Sequence, residues 1–307
     1  MALIRNLALS QGGGIISYNQ QARQEENIVN IFIGLGGTGV DCLREIKTQV
    51  YNRIEPDLIT NDGKVVYEHI RFLGFDRDIM SFHSIGDEDS RCNCLPLFES
   101  EMFALAGPGI TLKAVKQARD VFTQYAWLSD HIDPIGLDGY EPSGLRQEGR
   151  FLIMANADKF MARVQNVIAD SKRGLCNPRV VIHIISGLGG ATGSGIFLDV
   201  CYMLREILKT ECNTGMCGYF FTPDVNVAHV QSNNTKKYIQ QNGYAALQEL
   251  DYCMNIEKNH GKFRQEYTGG KLIDWDRAPV NYCHLISAQD NNGNVRQDAY
   301  NLSLIHI

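Results

Sequence analysis

The sequence predicts an α/β fold with a doubly wound, mostly parallel sheet of strand order 3-2-1-4-5-6 and a long central helix. Three observations lead to this prediction. Short apolar runs of strand length alternate with segments whose apolar residues recur at helical spacing. Two glycine-rich loops each stand between such a run and such a segment. A long helical segment then precedes the last apolar run. Strands that alternate with helices form parallel sheets covered on both faces.

The individual elements follow from where each pattern starts and stops. The predicted strands are residues 28–33, 69–75, 150–154, 180–185, 216–221 and 282–286. The predicted helices are residues 40–50, 112–125 and 158–171, a segment that follows residue 194, and a long stretch from about 236 to 256. In a doubly wound sheet of this order the first and fourth strands are neighbours, so we expect the loops that follow them to lie side by side.

The two glycine-rich loops are the strongest functional signal. The first loop, residues 34–39, reads Gly-Leu-Gly-Gly-Thr-Gly, and the second loop, residues 187–195, reads Gly-Leu-Gly-Gly-Ala-Thr-Gly-Ser-Gly. A glycine turn at the start of a helix presents backbone N–H groups and the positive end of the helix dipole to an anion. Two such loops that converge favour a longer anionic chain, such as a nucleoside triphosphate. The hydroxyls of Thr192 and Ser194 can bond phosphate oxygens.

Other interpretations of these loops stay open. The purely structural interpretation of the second loop is a tight strand-to-helix turn in which Ser194 caps the helix. The first loop, taken alone, also fits the Gly-x-Gly-x-x-Gly pattern of dinucleotide-binding domains, which is typical of NAD(P)-dependent oxidoreductases. That pattern is followed by an acidic residue about 20 positions further on, whereas Asp76 comes much later. Both loops lack the lysine of a P-loop ATPase.

Composition and charge exclude some classes of protein. The chain has 307 residues, a formal net charge of −6 and a pI of about 5.8. This balance argues against a protein that binds nucleic acid mainly by charge. No apolar run approaches the ~20 residues that a membrane-spanning helix needs, so we expect no such helix. The nine cysteines are odd in number and scattered, which is typical of reduced thiols and predicts a cytoplasmic location.

Residues 189–195 resemble the signature loop of the tubulin/FtsZ superfamily, Gly-Gly-Gly-Thr-Gly-Ser/Thr-Gly, and depart from it only at Ala191. The first loop is similar to the opening glycine loop of FtsZ-type proteins, and Asp76-Arg77-Asp78 is similar to the acidic loop of tubulins. The chain also resembles the divergent bacterial tubulin-like proteins. This resemblance covers roughly residues 28–290.

The resemblance implies GTP as the ligand, together with Mg²⁺. The residues that would contact the nucleotide's phosphates are Gly36, Gly37, Thr38, Gly189, Gly190, Ala191, Thr192, Gly193 and Ser194. Asp76 and Asp78 would hold the magnesium ion through water. Asp224 would border the ribose, and Asn242 would read the guanine base. Arg150 allows two interpretations, a phosphate contact or a surface salt bridge.

The residues at the two termini and the resemblance together predict a domain organisation. Residues 1–27 are expected to form an N-terminal extension, and residues 28–260 the tubulin-like nucleotide-binding domain. Residues 261–301 are expected to begin a second, C-terminal region that is truncated, and residues 302–307 to be a non-native tail.

The implied function is that of a filament-forming GTPase. Its copies would associate head to tail, and hydrolysis would need a catalytic acid from the neighbouring subunit. The catalytic residues stay unassigned, because the family's catalytic loop has no convincing match in this chain. The alternatives are an NAD(P)-dependent oxidoreductase and a tubulin-fold scaffold that does not hydrolyse nucleotide.

Overall fold

A computed structural model describes residues 27–61, 63–77, 94–106, 127–128, 145–227 and 230–289. The strands are β1 (Ile28–Leu35), β2 (Leu58–Ile59), β3 (Val65–Val66), β4 (Ile70–Asp76), β5 (Met102–Ala104), β6 (Arg179–Gly187), β7 (Thr214–Phe221), β8 (Phe263–Tyr267), β9 (Lys271–Trp275) and β10 (Tyr282–Ile286). The helices are α1 (Gly36–Arg53), α2 (Arg146–Ala155), α3 (Ala157–Ser171), α4 (Thr192–Leu208), α5 (Pro223–Val227) and α6 (Asn233–Met254).

The central element is a six-stranded sheet in the order β10-β7-β6-β1-β4-β5. Every pair of neighbouring strands in this sheet is parallel. Numbered along the chain, these strands follow the predicted order 3-2-1-4-5-6. The predicted fold class is therefore confirmed, and α6 is the predicted long helix.

The third strand of the sheet is not the predicted one. Residues 150–154 lie inside α2, so their assignment as a strand was wrong. Phe151, Leu152, Ile153 and Met154 are all buried, and a short run buried on every side has no periodicity that separates helix from strand. The actual third strand is β5, which has only three residues and stands at the sheet edge.

Hydrophobic side chains cover the sheet on both faces because successive residues of a strand point to opposite sides. Phe32 packs with Val40 and Leu43 of α1 in one cluster. Ile31 and Ile33 pack with α2, α3 and α4 in the other. β1 and β6 are buried along nearly their whole length, which explains why both read as continuous apolar runs.

The described residues after 260 pack on this same sheet and core. β8 and β9 form an antiparallel hairpin, and its residues Tyr267 and Ile273 belong to the core that contains α4. β10 pairs with β7 at the sheet edge. The described residues from 261 to Gln289 thus pack against the domain predicted for residues 28–260.

Two further expectations can be compared with the structure, and a third falls outside the described residues. None of the helices in the described part of the chain is long and apolar enough to span a bilayer. Seven described cysteines are free thiols, but Cys94 is disulfide-bonded, so the expectation of reduced thiols does not hold for Cys94. The predicted helix at residues 112–125 lies outside the described residues.

Candidate anion-binding site between two glycine loops

The first and second loops follow neighbouring strands. β1 and β6 run parallel, and Leu35 at the end of β1 lies opposite Ser186 near the end of β6. Each strand then leads into a helix, β1 directly into α1 and β6 through the second loop into α4. Because the carboxyl ends of parallel strands share one edge of the sheet, both helices begin at the same place.

The backbones of the two loops touch at Gly36 and Gly193. Gly36 has a φ of +67°, and a Cβ atom built on it would lie 2.5 Å from Gly193 N and 2.9 Å from Gly193 Cα. A Cβ atom on Gly193 would in turn lie 2.7 Å from Leu35 O. Only glycine allows this approach at both positions. The expectation that the two loops meet is confirmed.

Two helix N-termini therefore lie side by side at one edge of the sheet. The N-cap residues, Leu35 of α1 and Ala191 of α4, provide no side-chain hydrogen bond to the first turn of their helices. The first N–H groups of an α-helix have no partner within the helix and carry the positive end of its dipole. Gly37 is exposed beside this point, and Gly190 has no described heavy atom within 4 Å of its Cβ position. The geometry fits an extended anion.

The structure also locates the residue that departs from the superfamily signature. Ala191 has φ −78° and ψ −57°, an ordinary right-handed conformation that any residue adopts. The replacement of glycine by alanine at this position therefore carries no backbone strain.

The hydroxyl of Ser194 is buried and used inside the protein. Ser194 is 0% exposed, and its Oγ accepts a hydrogen bond from Arg146 Nε at 2.8 Å. α4 begins at Thr192 with Ala191 as its N-cap, so Ser194 lies within the first helical turn and is not the capping residue. The interpretation of Ser194 as an N-cap was wrong. Thr192, at the first position of α4, is half-buried.

Arg146 attaches the second loop to the long helix α6. Its guanidinium donates to the Ser194 carbonyl oxygen at 3.0 Å and forms a bidentate pair with Glu249, at 2.9 and 2.5 Å. Arg150, one turn further along α2, pairs instead with the buried Asp199, with 3.3 Å between Nε and Oδ2. The structure thus shows Arg150 in a salt bridge, but with a buried carboxylate, so the expected surface location of this pair was wrong.

Asp76 stands beside the first loop at the end of β4. It is 5% exposed, and its Oδ1 accepts a hydrogen bond from the Arg77 amide at 2.7 Å. Its Oδ2 lies 3.9 Å from the Cβ position on Gly37. Asp78 lies outside the described residues. Within the described ranges, no group of three or more His, Cys, Asp or Glu side chains is placed to hold a metal ion.

Asp224 fixes the start of α5 to the end of β10. Its carboxylate accepts hydrogen bonds from the Thr222 hydroxyl, from the Ser287 hydroxyl at 2.7 Å and from the Ala288 amide at 2.6 Å. Burial by itself would raise the pKa of this carboxyl, but the hydrogen bonds lower the pKa below its ordinary value.

Asn242 of α6 contacts the second loop directly. Its Nδ2 donates to the Gly189 carbonyl oxygen at 3.1 Å. The structure therefore brings Asn242 next to the predicted phosphate-binding residues of the second loop, through a contact with the loop backbone.

Two residues that sequence reasoning missed connect these parts. Arg146 is one. The other is Asn226 of α5, whose Nδ2 donates to the Thr38 hydroxyl at 3.0 Å across 188 positions of sequence. A single Asn or Arg in a polar segment carries no pattern that would reveal such a contact.

Comparisons with known proteins identify the family. A family model described as "Tubulin like" matches residues 31–305. The chain is similar in structure to CetZ from Methanosaeta thermophila strain DSM 6194, with 11% identity, a TM-score of 0.47 and coverage of 90% of this chain and 51% of that one. It is also similar to FtsZ from M. jannaschii, with 13% identity, a TM-score of 0.47 and coverage of 93% and 53%.

A third similar structure is CetZ2 from Haloferax volcanii, described as a GTPγS-bound protofilament, with 12% identity, a TM-score of 0.46 and coverage of 90% and 55%. The chain thus spans about half the length of these solved structures. No curated protein matches it. The family match covers most of the chain, and the chain belongs to the tubulin-like family of the tubulin/FtsZ superfamily.

Proposed function

We propose that this protein binds GTP and holds its phosphates between the first and second loops. The observation that carries the proposal is the backbone contact between Gly36 and Gly193, which brings the N-termini of α1 and α4 together. Gly36, Gly37 and Thr38 bind from one side. Gly189, Gly190, Ala191, Thr192, Gly193 and Ser194 bind from the other, mainly through backbone N–H groups. Membership of the tubulin-like family supports a guanine nucleotide.

Magnesium belongs to the same proposal. Asp76 and Asp78 hold the ion through water, and the position of the Asp76 carboxylate beside Gly37 supports this role. When bound, the ion neutralises phosphate charge. Asp224 and Asn242 frame the nucleoside: Asn242 contacts the second loop at Gly189, and Asp224 fixes the segment that precedes Asn226.

We further propose that this protein is bacterial and cytoplasmic and that its copies associate head to tail. A contact between two different surfaces that does not close into a ring produces a filament. Hydrolysis then depends on an acid from the neighbouring subunit. Family membership supports this part of the proposal.

The first test measures thermal stability with Mg·GTP, Mg·ATP, NAD and NADP. A ligand at about 100 times its Kd stabilises the folded state by about 2.7 kcal/mol, which raises Tm by about 4 °C for a chain of this size. We expect this rise with GTP. A rise with NAD or NADP alone would instead indicate an oxidoreductase, and no rise with any nucleotide would indicate a scaffold.

A matched pair of variants tests where the ligand binds. The Cβ position on Gly190 is open, so both Gly190→Asp and Gly190→Asn are expected to fold. At about 5 Å and an effective dielectric constant of about 20, a carboxylate repels each unit of phosphate charge by about 3 kcal/mol. We expect Gly190→Asp to weaken GTP binding at least about tenfold more than Gly190→Asn, after allowance for screening. Equal affinities would place the phosphates elsewhere.

A further inference from the structure

The hydroxyls of Thr38 and Ser194 occupy equivalent positions in the two loops. Each belongs to the third residue of its helix, Thr38 in α1 and Ser194 in α4. Each accepts a hydrogen bond from a distant side chain, Thr38 from Asn226 Nδ2 at 3.0 Å and Ser194 from Arg146 Nε at 2.8 Å. Ser194 is completely buried, whereas Thr38 is half-buried beside the exposed Gly37. Of the two hydroxyls, that of Thr38 is the one a ligand can reach.

The hydrogen bond from Asn226 determines what the Thr38 hydroxyl can offer. A hydroxyl has one O–H donor and two acceptor lone pairs. Because Asn226 Nδ2 donates to Thr38 Oγ1, one lone pair is occupied and the O–H is left to point to another acceptor. Phosphate oxygens accept hydrogen bonds, so Thr38 can bind them only as a donor.

The helix that carries Asn226 is anchored to the end of the central sheet. Asn226 lies in α5, which begins at Pro223. Asp224 fixes this helix to Ser287 and Ala288 at the end of β10. The other end of the Asn226 side chain, Oδ1, lies 3.3 Å from the Cβ position on Gly189 in the second loop. The carboxamide thus lies between the two loops, with Nδ2 toward Thr38 and with Oδ1 buried and without a hydrogen-bond partner among the described residues.

We propose that Asn226 is a positioning residue that holds the Thr38 hydroxyl as a hydrogen-bond donor toward the anionic part of the ligand. This proposal rests on the proposed function of the two loops as a phosphate site. Asn226 acts through Thr38: it leaves the Thr38 O–H to donate a hydrogen bond to an oxyanion.

The decisive variant is Asn226→Asp, which has the same shape and the opposite hydrogen-bonding character. An ionised carboxylate only accepts, so it draws the Thr38 hydroxyl proton to itself and turns a lone pair toward the ligand. We expect Asn226→Asp to weaken Mg·GTP binding at least about tenfold, since a hydrogen bond to a charged group is lost. Asn226→Ala leaves the hydroxyl free to rotate, and we expect it to weaken binding only about threefold.

Variants of Thr38 separate positioning from a structural role. We expect Thr38→Ser, which keeps the hydroxyl, to retain more of the Mg·GTP affinity than Thr38→Val, which removes it. In a Thr38→Val background, Asn226→Ala should change the affinity by less than about twofold, because the group that Asn226 orients is gone.

The GTP affinity of Asn226→Asp, measured over a pH series, provides a second test, because a merely structural role of Asn226 would not make this affinity depend on the Thr38 hydroxyl. As the pH falls toward the ordinary aspartic acid pKa of about 4, the new side chain at position 226 becomes a donor. The affinity of Asn226→Asp relative to wild type should therefore recover at low pH, and this recovery should be smaller in the Thr38→Val background.

The outcomes distinguish the inference from the proposed function. If wild-type protein binds neither Mg·GTP nor Mg·GDP in calorimetric titration, the phosphate site itself is refuted, and this inference with it. If wild type binds GTP but Asn226→Ala weakens binding equally in the wild-type and Thr38→Val backgrounds, Asn226 is structural and only this inference is overturned. Urea unfolding of each variant shows that the compared proteins are folded.

Discussion

The contact between the two loops predicts a graded series of glycine substitutions. Gly36→Ala places a Cβ atom 2.5 Å from Gly193 N at a φ of +67°. The left-handed backbone costs about 1 kcal/mol for alanine relative to glycine, and relief of the overpacking costs about 1–3 kcal/mol more. We expect Gly36→Ala to lower the free energy of unfolding by about 2–4 kcal/mol in total.

Two other glycines separate these contributions. Gly63 has a φ of +79° with no described heavy atom within 4 Å of its Cβ position, so Gly63→Ala reports backbone strain alone, about 1 kcal/mol. Gly190 has equally open surroundings without a positive φ, so we expect Gly190→Ala to stay within about 0.5 kcal/mol of the wild-type protein. Urea unfolding followed by circular dichroism measures all three differences. A loss for Gly36→Ala no larger than that for Gly63→Ala would refute the close contact with Gly193.

Three further predictions concern the surroundings of the site. Burial lowers the pKa of His183 to about 4, so His183 takes up a proton in the unfolded chain at a higher pH than in the folded protein. The free energy of unfolding should therefore fall by about 3 kcal/mol as the pH drops from about 6.5 to about 4. This loss should be absent from acid-titrated unfolding curves of His183→Leu. Asp224→Asn removes part of an acceptor set used by three donors, and calorimetry should show a loss of about 1–2 kcal/mol. Arg146→Met leaves the buried Ser194 hydroxyl without its donor and should lower the free energy of unfolding in urea by about 2–3 kcal/mol. Glu249→Gln changes a half-exposed partner of Arg146 and should lower it by less than about 1 kcal/mol. Equal losses for these two variants would contradict this ranking.

Most of the sheet could be predicted from the sequence because its central strands are buried on both faces. β1, β6 and β7 read as apolar runs next to glycine turns or helical patterns, and their order followed from counting crossovers. The third strand could not be found in this way, since β5 has three half-buried residues. The strand was instead assigned to the run Phe151-Leu152-Ile153-Met154, because a helix segment that is buried on all sides has the same continuous apolar sequence as a buried strand.

The hairpin of β8 and β9 did leave a signal that was overlooked. Its strands alternate exposed and less exposed residues, and between them Gly269 and Gly270 both have positive φ. Two alternating runs joined by a Gly-Gly turn are typical of a hairpin. Its packing through Tyr267, whose hydroxyl donates to the buried Asp199 at 2.6 Å, depends on residues far apart in sequence.

The glycine loops of the site were predictable, and the side chains that hold them were not. The loops are contiguous and have a recognisable composition, and their convergence follows from strand order. Ser194 was assigned to phosphate from its type and position, but the hydrogen bond that its buried hydroxyl accepts from Arg146 was not predicted. Asn226 reaches Thr38 across 188 positions. Such pairings are created by tertiary packing and are invisible to local pattern.

Hydrogen exchange of the wild-type protein with and without Mg·GTP tests the central claim most directly. If both loops bind one phosphate chain, the backbone amides of residues 36–39 and those of residues 190–195 gain protection together and over the same range of GTP concentration. Protection confined to one loop, or no change in either loop at saturating GTP, would contradict the account.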